Sequence, residues 1–428
     1  MNYADAIADL DARQPERMVP DLERIKAVVE LLDHPELTYP TIHVTGTNGK
    51  STTARLIAEL ACAHGLSAGL YTSPHLHSVT ERLALCEDPI SEEEFAEEYE
   101  RLLPFLQEVD GRSDQRVTYF EVLTALAFVW FSDKPVNLGV FEVGMGGVWD
   151  ATNLVGGDVA VITPIALDHP ELGSTVRDVA TEKAGIIKAE KTVVVREQPS
   201  DAMTVIEARA REMQAQVLLE GRDWELTGRI QGVGAQALTV RGLFGSYEGL
   251  RLPLFGEHAA HNAAAAVVAF EAFVDRRLAD GAVEEALGTF TAPGRLEILA
   301  RHPLIVVDGA HNPAGAEALQ RAIREAFTPE RVHLVMAVSA NKDLDGIVAQ
   351  LAPLADAGYA ARNESARSAE AEAVESALVA AGVPTTAYGS VHEALAAAEA
   401  QAQEGDLILV TGSLYTVADA RTAIADRP

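Results

Sequence analysis

Thr41-Ile42-His43-Val44-Thr45-Gly46-Thr47-Asn48-Gly49-Lys50-Ser51-Thr52 is the stretch on which the reading of this chain turns. A short apolar run (Ile42, Val44) ends in a glycine turn, which leads into Ala54-Arg55-Leu56-Ile57-Ala58-Glu59-Leu60, where apolar residues recur at helical spacing. Strand, glycine loop and helix N-terminus together make an anion site. The glycines let backbone N–H groups converge, the helix dipole favours negative charge, and Lys50 adds a mobile cation. Gly46, Thr47, Asn48, Gly49, Lys50, Ser51 and Thr52 are therefore the expected phosphate cradle, with the Ser51 hydroxyl placed to reach a phosphate-bound magnesium ion. The first glycine of G-x-x-x-x-G-K-[ST] would fall at Val44, so what remains is G-x-x-G-K-S. A mononucleotide site is expected, and a generic P-loop kinase or GTPase is disfavoured.

Outward from this loop, Asp21–Leu32 reads as a helix and Leu66–Tyr71 as a second strand that ends in the polar turn Thr72-Ser73-Pro74-His75-Leu76. Ligands of open α/β sheets bind at that edge. A capping box at Ser91–Glu94 opens a helix toward Leu106, and a buried helix follows over Tyr119–Phe131. Asn137–Val143 reads as a strand that places the acid Glu142 just before Gly144-Met145-Gly146-Gly147. A strand-end carboxylate beside a phosphate loop is placed to hold magnesium. Val159–Thr163 leads to Asp168-His169, and Thr192–Arg196 is a further strand. Alternating segments from Trp224 to Leu254 suggest antiparallel strands appended to the sheet, followed by helices at Ala259–Val274 and Val283–Phe290. Pro293-Gly294-Arg295 is the expected hinge. It divides a P-loop ATPase domain that also carries the acceptor substrate (1–292) from a smaller, mostly parallel Rossmann-like α/β domain (296–428), with strands at Leu304–Val307, His333–Val338 and Leu407–Val410. The fold class is α/β.

Length and composition agree. At 428 residues two domains are the natural expectation, and 48% hydrophobic residues suit a packed core. The longest apolar runs fall well short of the roughly 20 residues of a membrane helix. The N-terminus lacks a basic start and an apolar stretch, so a cytoplasmic protein is expected. The two cysteines, Cys62 and Cys86, are too few for a disulfide framework and lack metal spacing. With 34 basic and 64 acidic residues the net charge is −30, which argues against nucleic-acid binding. Anionic substrates would need local positive charge against this field.

Seven motifs stand in order: Thr45–Ser51, Tyr71–Leu76, Glu142–Gly147 with Asp150-Ala151-Thr152-Asn153, Asp168-His169, Glu182–Lys188, Pro293–Glu297 and Asp308-Gly309-Ala310-His311-Asn312-Pro313. Thr411-Gly412-Ser413-Leu414-Tyr415 extends the pattern. From about Ile25 to Ala420 the chain resembles folylpolyglutamate synthases and dihydrofolate synthases, the folate branch of the Mur-type ADP-forming amide ligases. The resemblance implies that ATP phosphorylates a folate carboxylate and that the amine of L-glutamate attacks the acyl phosphate. Either tetrahydrofolate or dihydropteroate is the implied acceptor. It implies Ser73, Glu142 and His169, with Ser51, as ligands of two magnesium ions, and Lys183 as a carbamylated lysine beside them; a monovalent cation belongs to the same set. Asn262, Arg295, Asp308 and His311 would meet the nucleotide from the far side, and Ser413 the glutamate. Ser73, Pro74, His75, Tyr119, Phe120, Asp150 and Asn153 would line the acceptor pocket. His169-Pro170-Glu171-Leu172-Gly173 is one residue shorter than the family's usual D-H-x-x-x-L-G, which bears on where His169 lies. The resemblance implies no nucleic-acid or membrane partner, and a monomer is the default.

Other assignments make different demands. A peptidoglycan-precursor Mur ligase would need a UDP-sugar domain ahead of the P-loop. A switch-type NTPase would need neither Arg295 nor the Asp308/His311 pair, and its turnover would ignore glutamate. A dihydrofolate synthase alone, or another Mur-type ligase, is the alternative within the fold.

Overall fold

Thr41–Thr45 (β1) is buried at every position, because it is the centre of a sheet covered on both faces. The computed structural model describes residues 1–15 and 21–427. The first sheet comprises β1, Ala68–Tyr71 (β2), Leu83–Leu85 (β3), Asp88–Pro89 (β4), Leu138–Glu142 (β5), Val159–Ile162 (β6), Thr192–Val195 (β7) and Gln216–Leu219 (β8), in the order β4-β3-β2-β5-β1-β6-β7-β8. All neighbouring strands are parallel except β2–β3 and β3–β4. In register, Ile42 lies between Val140 of β5 and Val159 of β6.

Helices Tyr3–Asp11 (α1), Glu23–Leu31 (α2), Lys50–Ala63 (α3), Glu92–Asp110 (α4), Tyr119–Asp133 (α5), Val176–Lys183 (α6) and Ser200–Glu212 (α7) precede Glu257–Val274 (α8) and Asp280–Thr289 (α9). Ile42 and Val44 pack with α3 and α8 on one face of the sheet. On the other, Phe141 joins Phe128 and Phe131 of α5. Helix α1 was not anticipated from the sequence: nine residues with few large apolar groups give little periodic signal.

Two expectations need correction. The alternating segments form their own sheet, Glu225–Gln231 (β9), Gln236–Arg241 (β10) and Ser246–Leu252 (β11), rather than extending the first. Their apolar face (Leu238, Val240, Tyr247, Leu250) packs into the α3/α8 core, and packing of this kind leaves no trace in strand alternation. Cys62 and Cys86 form a disulfide across a separation of 24 residues. It ties the end of α3 to the turn between β3 and β4, a neighbourhood that spacing alone does not reveal.

The second sheet holds Glu297–Arg301 (β12), Leu304–Asp308 (β13), Val332–Met336 (β14), Ala357–Ala360 (β15), Thr385–Ala387 (β16) and Leu407–Thr411 (β17), in the order β12-β13-β17-β14-β15-β16. Only β12 runs antiparallel to its neighbour. Pro313–Ala326 (α10), Leu344–Leu351 (α11) and Ala371–Ala380 (α12) cover one face; Val391–Gln401 (α13) and Leu414–Ala425 (α14) cover the other. The strand-end loops of both sheets meet: the amides of Asn48 and Asn312 exchange two hydrogen bonds of 3.0 Å. Among the described residues no helix is long and apolar enough to cross a membrane.

Candidate active site

The phosphate cradle is set by backbone geometry. Gly46 and Gly49 have φ of 143° and 90°, conformations that L side chains rarely adopt. A Cβ on Gly46 would fall 1.8 Å from Thr163 Oγ1, and one on Gly49 would fall 2.7 Å from Asn262 Nδ2. Thr47 locks the loop to the far strand's exit: its hydroxyl accepts from Ala166 N and donates to Ala166 O, each at 2.9 Å. Gly49 caps α3, and Lys50 is the first helical residue. Lys50 Nζ donates to Thr47 O at 3.2 Å. Burial lowers its pKa, opposed by the charges of Glu142 and Asp168. Thr52 is buried in the first turn of α3.

Glu142 ends β5 at 1% exposure, its oxygens divided between Ser51 Oγ at 2.7 Å and Ser73 N at 3.0 Å. Burial raises its pKa, while Lys50 and these two donors favour the ionised form. The fold thus gathers Ser51, Ser73 and Glu142 beside Lys50. His169 stands on the far side of Lys50, whose charge reaches both His169 and Glu142; among the described residues no three His, Cys, Asp or Glu side chains form a metal-sized cluster. Its ring nitrogens lie 3.5 Å from Asp168 and 4.0 Å from Glu171, in the shortened loop. Burial pushes the His169 pKa down to about 4, leaving a neutral imidazole.

Asp168 joins the two halves. Its carboxylate accepts from Lys342 Nζ at 2.6 Å and lies 3.6 Å from His311 Nε2. Burial would raise the Asp168 pKa, but His311, His169 and Lys342 together hold it well below the usual carboxylate range. Asp168 was read only as part of a motif, and Lys342 was missed. The signal for Lys342 was positional: it follows the carboxyl end of β14, the edge where ligands of such sheets bind.

From the second sheet, His311 Nδ1 donates to Gly309 O at 2.9 Å. Arg295 crosses the bare face of Gly309, where a Cβ would lie 2.4 Å from the guanidinium. Its charge is felt at Lys50, Glu142 and Asp308. Asp308 is 7% exposed and accepts from Leu296 N at 2.9 Å and Ala310 N at 2.8 Å, so it ties the residue after Arg295 to the turn after β13. Asn262 Oδ1 accepts from Arg196 at 2.8 Å, which commits its amide orientation. Lys183, 4% exposed, donates to Gly46 O at 2.7 Å. Burial pushes its pKa down to about 7, helped by the charge of Lys50.

The acceptor-side residues are more scattered in role. His75 Nδ1 accepts from Arg82 at 3.0 Å, and burial lowers the His75 pKa to about 4. The Arg82 guanidinium lies 5.4 Å from the Tyr119 ring centroid, a cation–π pair. Pro74 is exposed on the same loop. Phe120 packs over Gly144, where a Cβ would meet the ring at 2.5 Å. Buried Asp150 accepts from Met145 N at 2.9 Å and Thr152 N at 3.0 Å. Asn153 serves the loop itself: its amide donates to Val148 O at 3.2 Å and accepts from Lys188 at 2.9 Å. Ser413 caps α14 through Tyr415 N at 3.2 Å.

A phosphate cradle in one α/β unit, faced by Arg295 and His311 from a second, defines a two-domain nucleotide-dependent enzyme closed around its cleft. Residues 44–270 match the Mur ligase middle domain, and residues 294–414 match the Mur ligase glutamate ligase domain. The chain belongs to the Mur ligase family, in its folylpolyglutamate synthase/dihydrofolate synthase branch. It is 40% identical over 384 residues to the dihydrofolate synthase/folylpolyglutamate synthase of Mycobacterium tuberculosis, spanning 85% of this chain and 79% of the relative. The M. tuberculosis folylpolyglutamate synthase solved with ADP superposes with a TM-score of 0.96 at 36% identity, over 100% of this chain and 99% of that one. Escherichia coli FolC in complex with DHPP and ADP gives 0.90 at 31% identity, over 99% and 98%.

Proposed function

We propose that this protein is an ATP-dependent ligase that joins L-glutamate to a folate, taking tetrahydrofolate or its polyglutamates and also dihydropteroate. The observation that carries the reading is the convergence of Lys50 and Glu142 from the first unit with Arg295, His311 and Lys342 from the second. A site built from two units is suited to joining two substrates; a simple NTPase switch has no use for the second half. The M. tuberculosis and E. coli relatives support the substrate class.

A carboxylate is a poor acyl donor, since its leaving group would be oxide. In the proposed reaction a carboxylate oxygen of the acceptor attacks the γ-phosphorus of ATP and ADP leaves. The glutamate amine then attacks the acyl carbon, phosphate leaves, and the nitrogen loses a proton. The N–H groups of Gly46–Ser51 and Lys50 hold the triphosphate, and Arg295 offsets charge developing on the transferred group. Domain closure about 293–295 brings Arg295 and His311 to the phosphates, with Asn262 and Asp308 as nucleotide contacts and Ser413 on the glutamate side.

The oxygen donors Ser51, Ser73 and Glu142 suit a hard divalent cation, and a buried acid whose pKa is raised gains from one. Magnesium bound there would neutralise charge on the β- and γ-phosphates. His169, a neutral imidazole, would serve the second ion. Lys183 fits carbamylation, because a pKa near 7 leaves a large neutral fraction to react with carbon dioxide. A monovalent cation, a monomeric state and a cytoplasmic location complete the proposal.

The test is ADP release from magnesium-ATP, with and without L-glutamate, against tetrahydrofolate, dihydropteroate or no acceptor. Turnover that needs glutamate and tetrahydrofolate establishes the synthase, and turnover with dihydropteroate as well makes it bifunctional. ADP release indifferent to both substrates overturns the proposal.

A further inference from the structure

Strand β1 has two unlike faces. Ile42 and Val44 enter the α3/α8 core, whereas Thr41, His43 and Thr45 are polar and fully buried. A central parallel strand ordinarily carries apolar residues on both faces. Each of the three polar residues bonds the crossover between β5 and β6. Thr41 Oγ1 accepts from Gly157 N at 2.7 Å, His43 Nε2 meets Thr152 Oγ1 at 2.8 Å, and Thr45 Oγ1 donates to Gly146 O at 3.0 Å. This crossover carries Asp150. The strand that leads into the phosphate loop therefore also anchors the acceptor loop.

The hydrogen-bond directions in the middle of this stripe are fixed. Thr152 Oγ1 lies 2.5 Å from Asp150 Oδ1 and gives its one proton to that carboxylate. It must then accept from His43, so Nε2 carries the imidazole proton and Nδ1 does not. Nδ1 is buried and has no partner among the described residues. A buried acceptor without a partner is destabilising, and an apolar residue at this position would avoid that. Burial holds the ring neutral, its pKa well below the ordinary value.

We propose that His43 is a positioning residue for acceptor binding: through Thr152 it fixes the Asp150 carboxylate so that Oδ2, on the side of Gly144 and Phe120, receives the N–H groups of the acceptor's heterocycle. Met145 N already bonds Oδ2 at 2.9 Å, and a Cβ on Gly144 would lie 3.2 Å from it, so the oxygen sits at the edge of the glycine face that the Phe120 ring covers. The inference rests on Asp150 being an acceptor contact. His43 itself touches no substrate.

The experiment compares His43→Leu, His43→Gln, Thr152→Val and Asp150→Asn in glutamate-dependent ADP release, with a thermal melt of each variant. His43→Leu and Thr152→Val are expected to raise the acceptor KM on the order of five- to tenfold, with the KM for ATP within about twofold. Gln, whose amide nitrogen can occupy the Nε2 position, restores the acceptor KM; combining Leu with Val adds little to either alone. Should His43→Leu fail to fold, Thr152→Val with His43→Gln carries the same comparison. Equal shifts in both KM values, or a Gln variant as poor as Leu, overturn the role of His43. A raised KM in Asp150→Asn alongside a silent His43→Leu overturns His43 alone. A silent Asp150→Asn overturns the reading of Asp150 and the inference with it.

Discussion

The nucleotide side and the acceptor side of the cleft are built in different ways. On the proposed nucleotide side the groups offered to a ligand are mostly backbone N–H groups, held by two positive-φ glycines and one helix start. On the acceptor side they are side chains, and several of those named from the sequence spend their hydrogen bonds on their own loop. Asn153 braces Val148 and Lys188, Ser413 caps a helix, and Phe120 covers Gly144. A site made of backbone is written in a short contiguous motif, because loop geometry needs particular residues at fixed spacing. A site made of side chains depends on which of two uses each polar group is put to, and that is decided by neighbours distant in sequence.

The largest effect expected from this contrast is that of Lys50→Ala. Removing the one mobile cation of the cradle should lower kcat by on the order of a hundredfold or more, with little change in thermal stability; near-normal ADP release would break the nucleotide side of the comparison. Lys183→Ala should also be severely impaired, and short carboxylic acids should restore part of the activity if a carbamate is the working form. Equal inactivity with and without them leaves only the Gly46 contact as its role. Lys342→Met removes the cation from Asp168 across the domain boundary, leaving a buried carboxylate beside two imidazoles; a loss on the order of tenfold in kcat/KM is expected in steady-state assays. No loss would mean that the ion pair is dispensable for closure.

A pH measurement sharpens the same contrast. The unfolded chain binds a proton at Lys183 up to about its ordinary value of 10.5, whereas the folded chain releases it near 7. Stability should therefore rise with pH between those values in carbon-dioxide-free buffer, and the slope should be reduced in Lys183→Met. Denaturant midpoints across that window read it, and identical slopes would exclude a neutral buried amine. The smallest effect is expected for Asn153→Ala: an acceptor KM within about threefold of the parent, with a stability loss of about 1 kcal/mol from its loop bonds. A large rise in acceptor KM would place Asn153 among the substrate contacts after all.

The two cysteines show where reading a sequence in one dimension fails. Cys62 and Cys86 carry no spacing signal, yet the β2–β3 pairing and the end of α3 bring them together, with Cα atoms 6.0 Å apart. Lys342 and Asp168 are the same lesson in electrostatics. They are 174 positions apart, and each is unremarkable on its own. His169 is the converse case: its motif is local and legible, and its ring nitrogens lie 3.5 Å from Asp168 and 4.0 Å from Glu171, its neighbours in the chain.

What the sequence determined by itself was the α/β class, the order of the central strands along the chain, the phosphate cradle and the strand-end acid Glu142. These follow from local periodicity, from glycine's access to positive φ and from the position of a charge at a strand's end, all properties of neighbouring residues. Only the tertiary structure decided the strand order within each sheet, the separate three-stranded sheet and the disulfide. It also decided the Asp168–Lys342 tie and the polar face of β1 beneath the acceptor loop. Each of these is a contact between distant segments, whose free energy depends on burial and on partners that no window of adjacent residues contains.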